Sequence, residues 1–354
     1  YNQCQFGELS PSRRRKYMSL GPPTTASSKE KPVELVVLDA SGTWPSMVAS
    51  LRSYWTEAAG FQRLCYLSGL ILLVSAVVHT GVFLIDDLPW AGEVSWRKPV
   101  LFGFSFGVTL ITVGWMMGLM RLRNATAWIL SGLLVGASLA EVALITMQVW
   151  RGVASHFNLA TDFDTTVFNY MGRMVGVVGV VIVVMTILSY RRLEAPPSLK
   201  WAIRIGLTIL VVSQAMGGMI IANGLQAVNA AGDFQPEGLA TASMFGKAGA
   251  LKVPHAWTLH AAQMLPAVAW LLAFTSRAER KRLRIVLLAA AGYVILVSVT
   301  IIQTFSERAT FDLTALTMVL VVLGLALLAA GVVSTTLALA RPNSGLESPT
   351  NRDV

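Results

Sequence analysis

The feature that most constrains this chain is a series of eight apolar runs, each long enough to cross a lipid bilayer. A membrane-spanning helix needs about 20 predominantly apolar residues. Only 13% of the 354 residues are charged, well below the share that is usual in soluble domains. The runs therefore predict an all-α, polytopic membrane helix bundle with about eight transmembrane helices. They lie near residues 61–85, 98–120, 126–150, 165–190, 201–223, 254–276, 284–305 and 313–340.

The positions of lysine and arginine predict the orientation of this bundle. Cytoplasmic loops of membrane proteins carry an excess of these two residues. Of 28 Lys and Arg residues, 21 lie in the terminal segments and the even-numbered gaps between runs, and 6 lie in the odd-numbered gaps. The remaining one is Arg173. We therefore expect both termini in the cytoplasm and the protein in the cell inner (plasma) membrane.

The rest of the chain divides by composition, and the net charge of +9 reflects membrane orientation rather than a nucleic-acid partner. The predicted segments are a disordered cytoplasmic arm at 1–46, an interfacial helix at 47–60, the eight-helix transmembrane domain at 61–340 and a cytoplasmic tail at 341–354. The chain begins with Tyr, and Met18 and Met47 are both plausible translation starts. The arm at 1–46 can therefore include residues that precede the native start.

Two pairs of glycines at four-residue spacing predict close helix packing. Gly103 and Gly107 lie in the second run, and Gly132 and Gly136 lie in the third. Small residues four positions apart allow the backbones of two membrane helices to approach each other. Such pairs are also frequent by chance in apolar helices, so the signal is weak.

The segment from Glu141 to Arg173 carries unusual charges in the membrane region. Glu141 and Arg173 each lie 16 residues from Phe157, at the middle of a polar crossing, so we expect them at the same depth. Ionisable groups at that depth are costly and mark a paired or functional site by default. We expect a salt bridge between the two. One role of this pair is to fix helix register, and a second is to relay a proton or substrate. A third alternative is that Arg173 or Arg151 recognises a substrate anion directly.

The polar residues predict a pocket on the outer side of the membrane. All four histidines, His79, His156, His255 and His260, fall in the outer half or just outside it. The other pocket candidates are Asp86, Lys98, Glu141, Gln148, Arg151, Asn158, Arg173 and Gln263. Clustered polar groups in a membrane indicate an outward-facing pocket. Arg151, His156 and Asn158 would form its mouth, with the Glu141–Arg173 pair as its floor.

The histidines also raise the question of a cofactor. Imidazole is a common metal ligand and a haem axial ligand. For a haem held by two histidines, His79 and His260 are the candidate pair. His255 and His260 are five residues apart, about 140° around a helix, so they do not share a face. A haem or a divalent metal is one hypothesis, and a hydrogen bond from each histidine to a neighbouring helix or loop is the other.

Two segments carry a resemblance to other sequences. These are RGVASHFN at Arg151–Asn158, followed by TDFD, and HAWTLHAAQMLP at His255–Pro266. They resemble a group of uncharacterised bacterial multi-pass membrane proteins with an Arg-Gly-x-x-Ser-His-Phe-Asn run after one helix and a His-x4-His-x2-Gln run opening a later one. The segment WRKPVLFGFSF also fits this pattern, and the resemblance spans about residues 65–275. It implies the architecture and marks these residues, but it supplies no activity.

The sequence leaves three functions open. The first is an integral membrane protein whose outward-facing His, Arg and carboxylate pocket binds a small ligand, metal or haem. The second is a transporter of a small solute or anion that uses Glu141 and Arg173 as a coupled pair, and the third is a structural or assembly subunit of a membrane complex. The sequence contains no phosphate-binding loop, dinucleotide fingerprint or zinc-protease motif. Whether the protein is an enzyme therefore stays open, and no catalytic residue is assigned.

Overall fold

A computed structural model of the protein describes residues 43–231 and 243–340. Within these ranges the chain forms nine helices and one small hairpin, which confirms the predicted all-α membrane bundle. The helices are α1 Thr43–Thr56, α2 Gly60–Phe83, α3 Arg97–Gly118, α4 Asn124–Trp150, α5 Asp162–Arg192, α6 Pro197–Ala231, α7 Lys252–Ala273, α8 Glu279–Phe305 and α9 Ala315–Ala340. The hairpin pairs β1 Met244–Phe245 with β2 Gly249–Ala250, antiparallel. Most of the predicted arm and the tail after residue 340 lie outside the described residues.

Seven of the described helices are long and apolar enough to cross a membrane: α2, α3, α4, α5, α6, α8 and α9. The sixth predicted run, at 254–276, does form a helix, α7, but it is not one of the seven. His255, His260 and Gln263 lower the hydropathy of its first half. The interfacial helix predicted at 47–60 is α1, which begins and ends four residues earlier.

Helix α7 nevertheless runs from one end of the bundle to the other. At its start, the Thr304 hydroxyl near the end of α8 donates to the carbonyl of Ala250 at 3.3 Å. Near its end, Trp270 Nε1 donates to the hydroxyl of Tyr54 in α1 at 2.8 Å. Among the described helices, α7 therefore extends along the bundle beside the seven that have the length and hydropathy of a membrane span.

Buried small residues explain how α7 lies inside the protein. Ala261 and Ala262 are completely buried. They face Gly206 of α6, where an added Cβ would lie only 2.9 Å from the Ala261 carbonyl oxygen. This close backbone contact encloses α7 against α6, and polar side chains are tolerated in a membrane helix that faces protein instead of lipid.

Of the two predicted glycine pairs, only the first packs against another helix. A Cβ at Gly103 would lie 3.0 Å from the carbonyl oxygen of Leu72 in α2, and one at Gly107 would lie 2.8 Å from that of Gly69. Gly132 and Gly136 are exposed, and no heavy atom lies within 4 Å of a Cβ at either position. The first pair thus allows α2 and α3 to pack closely. The second pair, on α4, contacts no other helix among the described residues.

Candidate functional site

The crossing between α4 and α5 is held by a network centred on Asp164. Gln148 Nε2 donates to Asp164 Oδ1 at 2.9 Å, and Arg151 Nη1 lies 2.6 Å from the same oxygen. Arg151 also donates to Gln148 Oε1, and the Thr161 hydroxyl donates to Asp164 Oδ2 at 2.8 Å. Asp164 is 3% exposed, so a buried carboxylate is compensated by several donors. The network ties the end of α4 to the start of α5.

Asp164 is a site residue that the sequence analysis missed. Its signal was the pattern Thr161-x-x-Asp164, the spacing of a capping box at a helix N-terminus. In the structure, Thr161 is the N-cap of α5 and its hydroxyl accepts a hydrogen bond from the Asp164 backbone N–H at 3.1 Å. The pattern predicts the cap, but it does not predict that Asp164 also pairs with Arg151.

Asn158 fixes the shape of the crossing itself. Its Nδ2 donates to the carbonyl of Ala154 at 3.1 Å, and its Oδ1 accepts from the N–H of Ala160 at 3.1 Å. Phe157 has a φ of 57°, in the left-handed region that bulky residues rarely adopt. Its ring is buried against Phe168, with ring centroids 5.1 Å apart. Asn158, predicted at a pocket mouth, therefore uses both ends of its amide in hydrogen bonds within its own loop.

His156 lies beside two lysines. Its Nδ1 is 3.0 Å from the Ser155 hydroxyl, and its ring centroid is 5.5 Å from that of Phe102. Burial, together with the charges of Lys98 and Lys252, lowers the pKa of His156 to about 3. His156 is therefore neutral at physiological pH and does not serve as a cation.

His79 is held in a cluster of aromatic side chains. Trp150 Nε1 donates to His79 Nε2 at 3.1 Å, and His79 Nδ1 donates to the Ser75 carbonyl at 2.7 Å. The imidazole stacks on Trp96, with centroids 5.8 Å apart, and Trp96 Nε1 donates to Asp86 at 2.5 Å. Both ring nitrogens of His79 are thus engaged. The bond to Trp150 joins α2 to the neighbouring helix α4.

The two histidines of α7 differ from each other. His255 Nδ1 donates to the Ser213 carbonyl of α6 at 2.9 Å, and the Ser213 hydroxyl donates back to the His255 carbonyl at 3.0 Å. The side chain of His260 makes no hydrogen bond within the described ranges. The Gln263 amide contacts the Thr109 hydroxyl of α3 at 3.3 Å, and in the orientation that satisfies both ends of the amide, Nε2 donates to the Leu259 carbonyl at 3.0 Å. His255 and Gln263 therefore connect α7 to its neighbours on two sides.

A metal or haem site gains no support from this arrangement. Across residues 43–231 and 243–340, no three His, Cys, Asp or Glu side chains come together as metal ligands. The proposed haem pair needs a free nitrogen on His79, whose nitrogens are both bonded to neighbours. Lys98, another pocket candidate, forms an ion pair with Glu93 at 3.0 Å.

The predicted salt bridge between Glu141 and Arg173 is wrong. Glu141 is 1% exposed, and neither of its carboxyl oxygens has a hydrogen-bond partner. Arg173 is exposed on the outer face of α5. The equal spacing from Phe157 predicted depth, whereas the direction of a side chain depends on a turn of about 100° per residue. Met171 faces the core from α5, and Arg173, two residues later, points to the opposite side.

A groove of about 800 Å³ lies between α1, α2, α3 and α7. It lies at the end of the bundle opposite His79, since it is lined by Tyr66, six residues from the start of α2, whereas His79 is four residues from the end. Among the predicted site residues, Gln263 is the one that lines this groove. Its aromatic lining residues are Tyr54, Trp55, Tyr66, Trp115 and Trp270.

A few polar atoms stand in this apolar wall. The Tyr54 hydroxyl accepts the hydrogen bond from Trp270, and the Tyr54 and Trp115 rings meet edge to face at 6.0 Å. The indole Nε1 of Trp115 is buried without a hydrogen-bond partner. Apolar and aromatic walls with a small number of placed polar groups are typical of small-molecule sites.

Comparisons of the chain with family models, with curated proteins and with solved structures find no match. A function must therefore be inferred from the geometry of the chain's own residues. The resemblance carried by RGVASHFN and HAWTLHAAQMLP stays a prediction. What the structure establishes is an integral, multi-pass helical membrane protein with a groove at one end and a hydrogen-bonded polar crossing at the other.

Proposed function

We propose that this membrane protein binds a small, mostly apolar molecule with one neutral polar group in the groove beside Gln263. The observation that carries the proposal is the groove itself, about 800 Å³ in volume and walled by five aromatic side chains. Cavities that bind small ligands usually measure about 300–1,000 Å³. Gln263 places an amide in this wall, and its oxygen keeps a lone pair for a donor of the ligand beyond the contact with the Thr109 hydroxyl.

The lining residues favour a neutral ligand. None of the described residues that line the groove is charged. A charged headgroup placed there would lose its hydration without gaining a partner, which is costly. A molecule with an alkyl chain and a hydroxyl or carbonyl group fits the chemistry of the walls better than a fatty acid or a phosphate.

Helix α1 gives such a molecule a route from the bilayer. Trp44, Leu51 and Trp55 on this helix are 74%, 57% and 48% exposed, respectively. Large exposed apolar side chains on a short helix suit the boundary between headgroups and acyl chains. Leu51 and Trp55 also line the groove, so a molecule dissolved in the membrane reaches the groove beside α1.

The orientation of the protein belongs to this proposal. The Lys and Arg distribution favours cytoplasmic termini, and the full-length course of α7 supports an even number of crossings. With that orientation in the inner membrane, the groove opens in the inner leaflet. The bilayer is then the source of the ligand.

The other functions have less support. The residues predicted for the outward-facing pocket, such as Gln148, Arg151 and Asn158, are bonded to one another or to their own loop. A transporter driven by a Glu141–Arg173 couple lacks the couple, because Arg173 faces outward. A role as an assembly subunit stays a prediction from the sequence.

The proposal is tested with a photoreactive long-chain alcohol that carries a diazirine in its chain. We expect saturable labelling of α1 and α7 peptides in the purified protein, competed by the unlabelled alcohol and far less by a fatty acid. Gln263→Leu should weaken half-saturation about five- to tenfold, since it removes one hydrogen bond of about 1 kcal/mol.

The matched control is Trp257→Phe, also on α7, whose ring contacts Tyr293 of α8 and does not line the groove. It should label like the wild type. Labelling that never saturates, or that spreads evenly over the exposed apolar face of α9, would exclude a specific groove ligand.

A further inference from the structure

Helix α4 carries a stripe of polar side chains on its buried face. Ser131, Ser138, Glu141 and Gln148 are spaced by seven, three and seven residues, so they share one side of the helix. Each of them is no more than 1% exposed. The opposite side of α4 carries the exposed Gly136.

Within this stripe, Glu141 differs from the other members in having no partner. The Ser138 hydroxyl donates to the Leu134 carbonyl at 2.7 Å, and the Ser131 hydroxyl donates to the Trp128 carbonyl at 3.2 Å. Gln148 is bonded to Asp164. Both carboxyl oxygens of Glu141 are buried and unpartnered.

A charge at this position would be uncompensated. A buried ion without a counter-ion or hydrogen bonds is among the costliest groups a protein can contain. Arg173, which the sequence predicted as the partner of Glu141, is exposed on α5. Glu141 must therefore be neutralised either by a proton or by a bound cation.

The surroundings of Glu141 favour the proton. Sodium and calcium ions require several oxygen ligands. The described residues place no cluster of three His, Cys, Asp or Glu side chains that would hold a metal ion, and the neighbouring Ser138 hydroxyl is already bonded to its own helix. A proton needs only the carboxyl group.

We infer that Glu141 is a proton-binding site inside the membrane, loaded and unloaded from the α4–α5 end of the bundle. Gln148 lies two turns above Glu141, about 10 Å along the helix axis. Beyond it stand Asp164 and Arg151, whose side chain is 38% exposed. These polar groups lead from Gln148 to the surface, and an interval of two helical turns that contains the buried Ile145 separates Gln148 from Glu141. The inference does not depend on a ligand in the groove.

The first test is modification of the purified protein with dicyclohexylcarbodiimide. A protonated carboxyl group adds across a C=N bond of this apolar reagent and rearranges to a stable N-acylurea, so no other reactant is needed. We expect one adduct in the peptide that contains Glu141, formed at acidic and neutral pH and lost at alkaline pH. Glu141→Gln should remove the adduct.

The second test is infrared spectroscopy, which does not depend on access of a reagent. The wild type should show the C=O stretching band of a protonated carboxylic acid, shifted in D2O and absent in Glu141→Gln. Gln148→Leu should slow the shift at least several-fold, while Ser131→Ala, at the other end of the stripe, should not.

An unchanged band in Glu141→Gln, or no protonated band at acidic and neutral pH, would overturn the assignment. Equal exchange rates in Gln148→Leu and the wild type would overturn the route. If Glu141→Gln does not fold, loss of the band on carbodiimide modification of the wild type replaces that comparison, and its persistence after modification of Glu141 would count against the site.

Discussion

At the scale of single residues, the histidines show what a sequence pattern leaves out. The prediction placed His79 in a polar cluster, but it did not identify Trp150, 71 residues away, as the donor to His79 Nε2. A hydrogen bond between residues on different helices has no signature in local spacing. Polar character could be predicted for His79, but its partner could not.

His79 and His260 therefore offer a matched pair of substitutions. His79→Ala removes bonds to Trp150 and Ser75 and leaves the Trp150 donor unpaired. We expect the free energy of unfolding to fall by about 1–3 kcal/mol. His260→Ala removes no side-chain hydrogen bond within the described ranges and should change it by less than about 0.5 kcal/mol. Thermal unfolding in detergent measures both, and equal shifts would contradict this account.

The pKa of His156 predicts how stability depends on pH. The pKa is about 6.5 in the unfolded chain and about 3 in the folded protein, because burial and the charges of Lys98 and Lys252 disfavour the protonated ring. Between these values the unfolded state binds a proton that the folded state does not. Stability should therefore fall on acidification below pH 6.5, by up to roughly 1.4 kcal/mol per pH unit.

The measurement is the unfolding midpoint of the wild type and of His156→Gln across pH 7 to 4. The variant should lose less stability than the wild type over this range, because it has no ring to protonate. The same slope in both proteins would show that other groups cause the pH dependence.

At the scale of helices, sequence patterns predicted position far better than direction. The apolar runs predicted most helix ends to within five residues, as with 313–340 and the observed Ala315–Ala340, but α6 continues to Ala231, eight residues beyond its predicted end. The direction of each side chain was harder to predict, because a shift of two residues turns a side chain to the other side of a helix. Glu141 and Arg173 are the clearest case, with correct helices and a wrong pairing.

The two glycine pairs allow a test of which helix faces pack. Gly107→Leu places a side chain where even a Cβ would lie 2.8 Å from the Gly69 carbonyl oxygen, so α2 and α3 must separate. We expect a loss of about 1–3 kcal/mol in the free energy of unfolding. Gly136→Leu meets open space and should have little effect. Thermal unfolding of both variants decides this, and a larger loss in Gly136→Leu would contradict the packing.

At the scale of the whole molecule, the groove could not have been predicted from the sequence. Its walls come from four helices, and the hydrogen bond beside it joins Tyr54 to Trp270, 216 residues apart. Local periodicity contains no information on which helices become neighbours. The number of helices and the membrane class were predictable, because they depend on length and composition alone.

The orientation of the whole chain can be tested with single cysteines. The background is Cys4→Ser, since the native Cys65 is completely buried. Lys247→Cys, before α7, and Ser276→Cys, after it, are both at exposed positions. If α7 crosses, a membrane-impermeant maleimide should label residue 247 in intact cells and residue 276 only after permeabilisation. Labelling of both from the same side would show that α7 does not cross.

The modest hydropathy of α7 has a consequence for how the protein is made. Helices enter the bilayer as they leave the ribosome, and a segment containing two histidines and a glutamine is a weak candidate for entering alone. Its buried contacts with Gly206 and Ser213 exist only once α6 is in place. We therefore expect α7 to insert only together with α6, the two helices entering the membrane as one hairpin during biosynthesis.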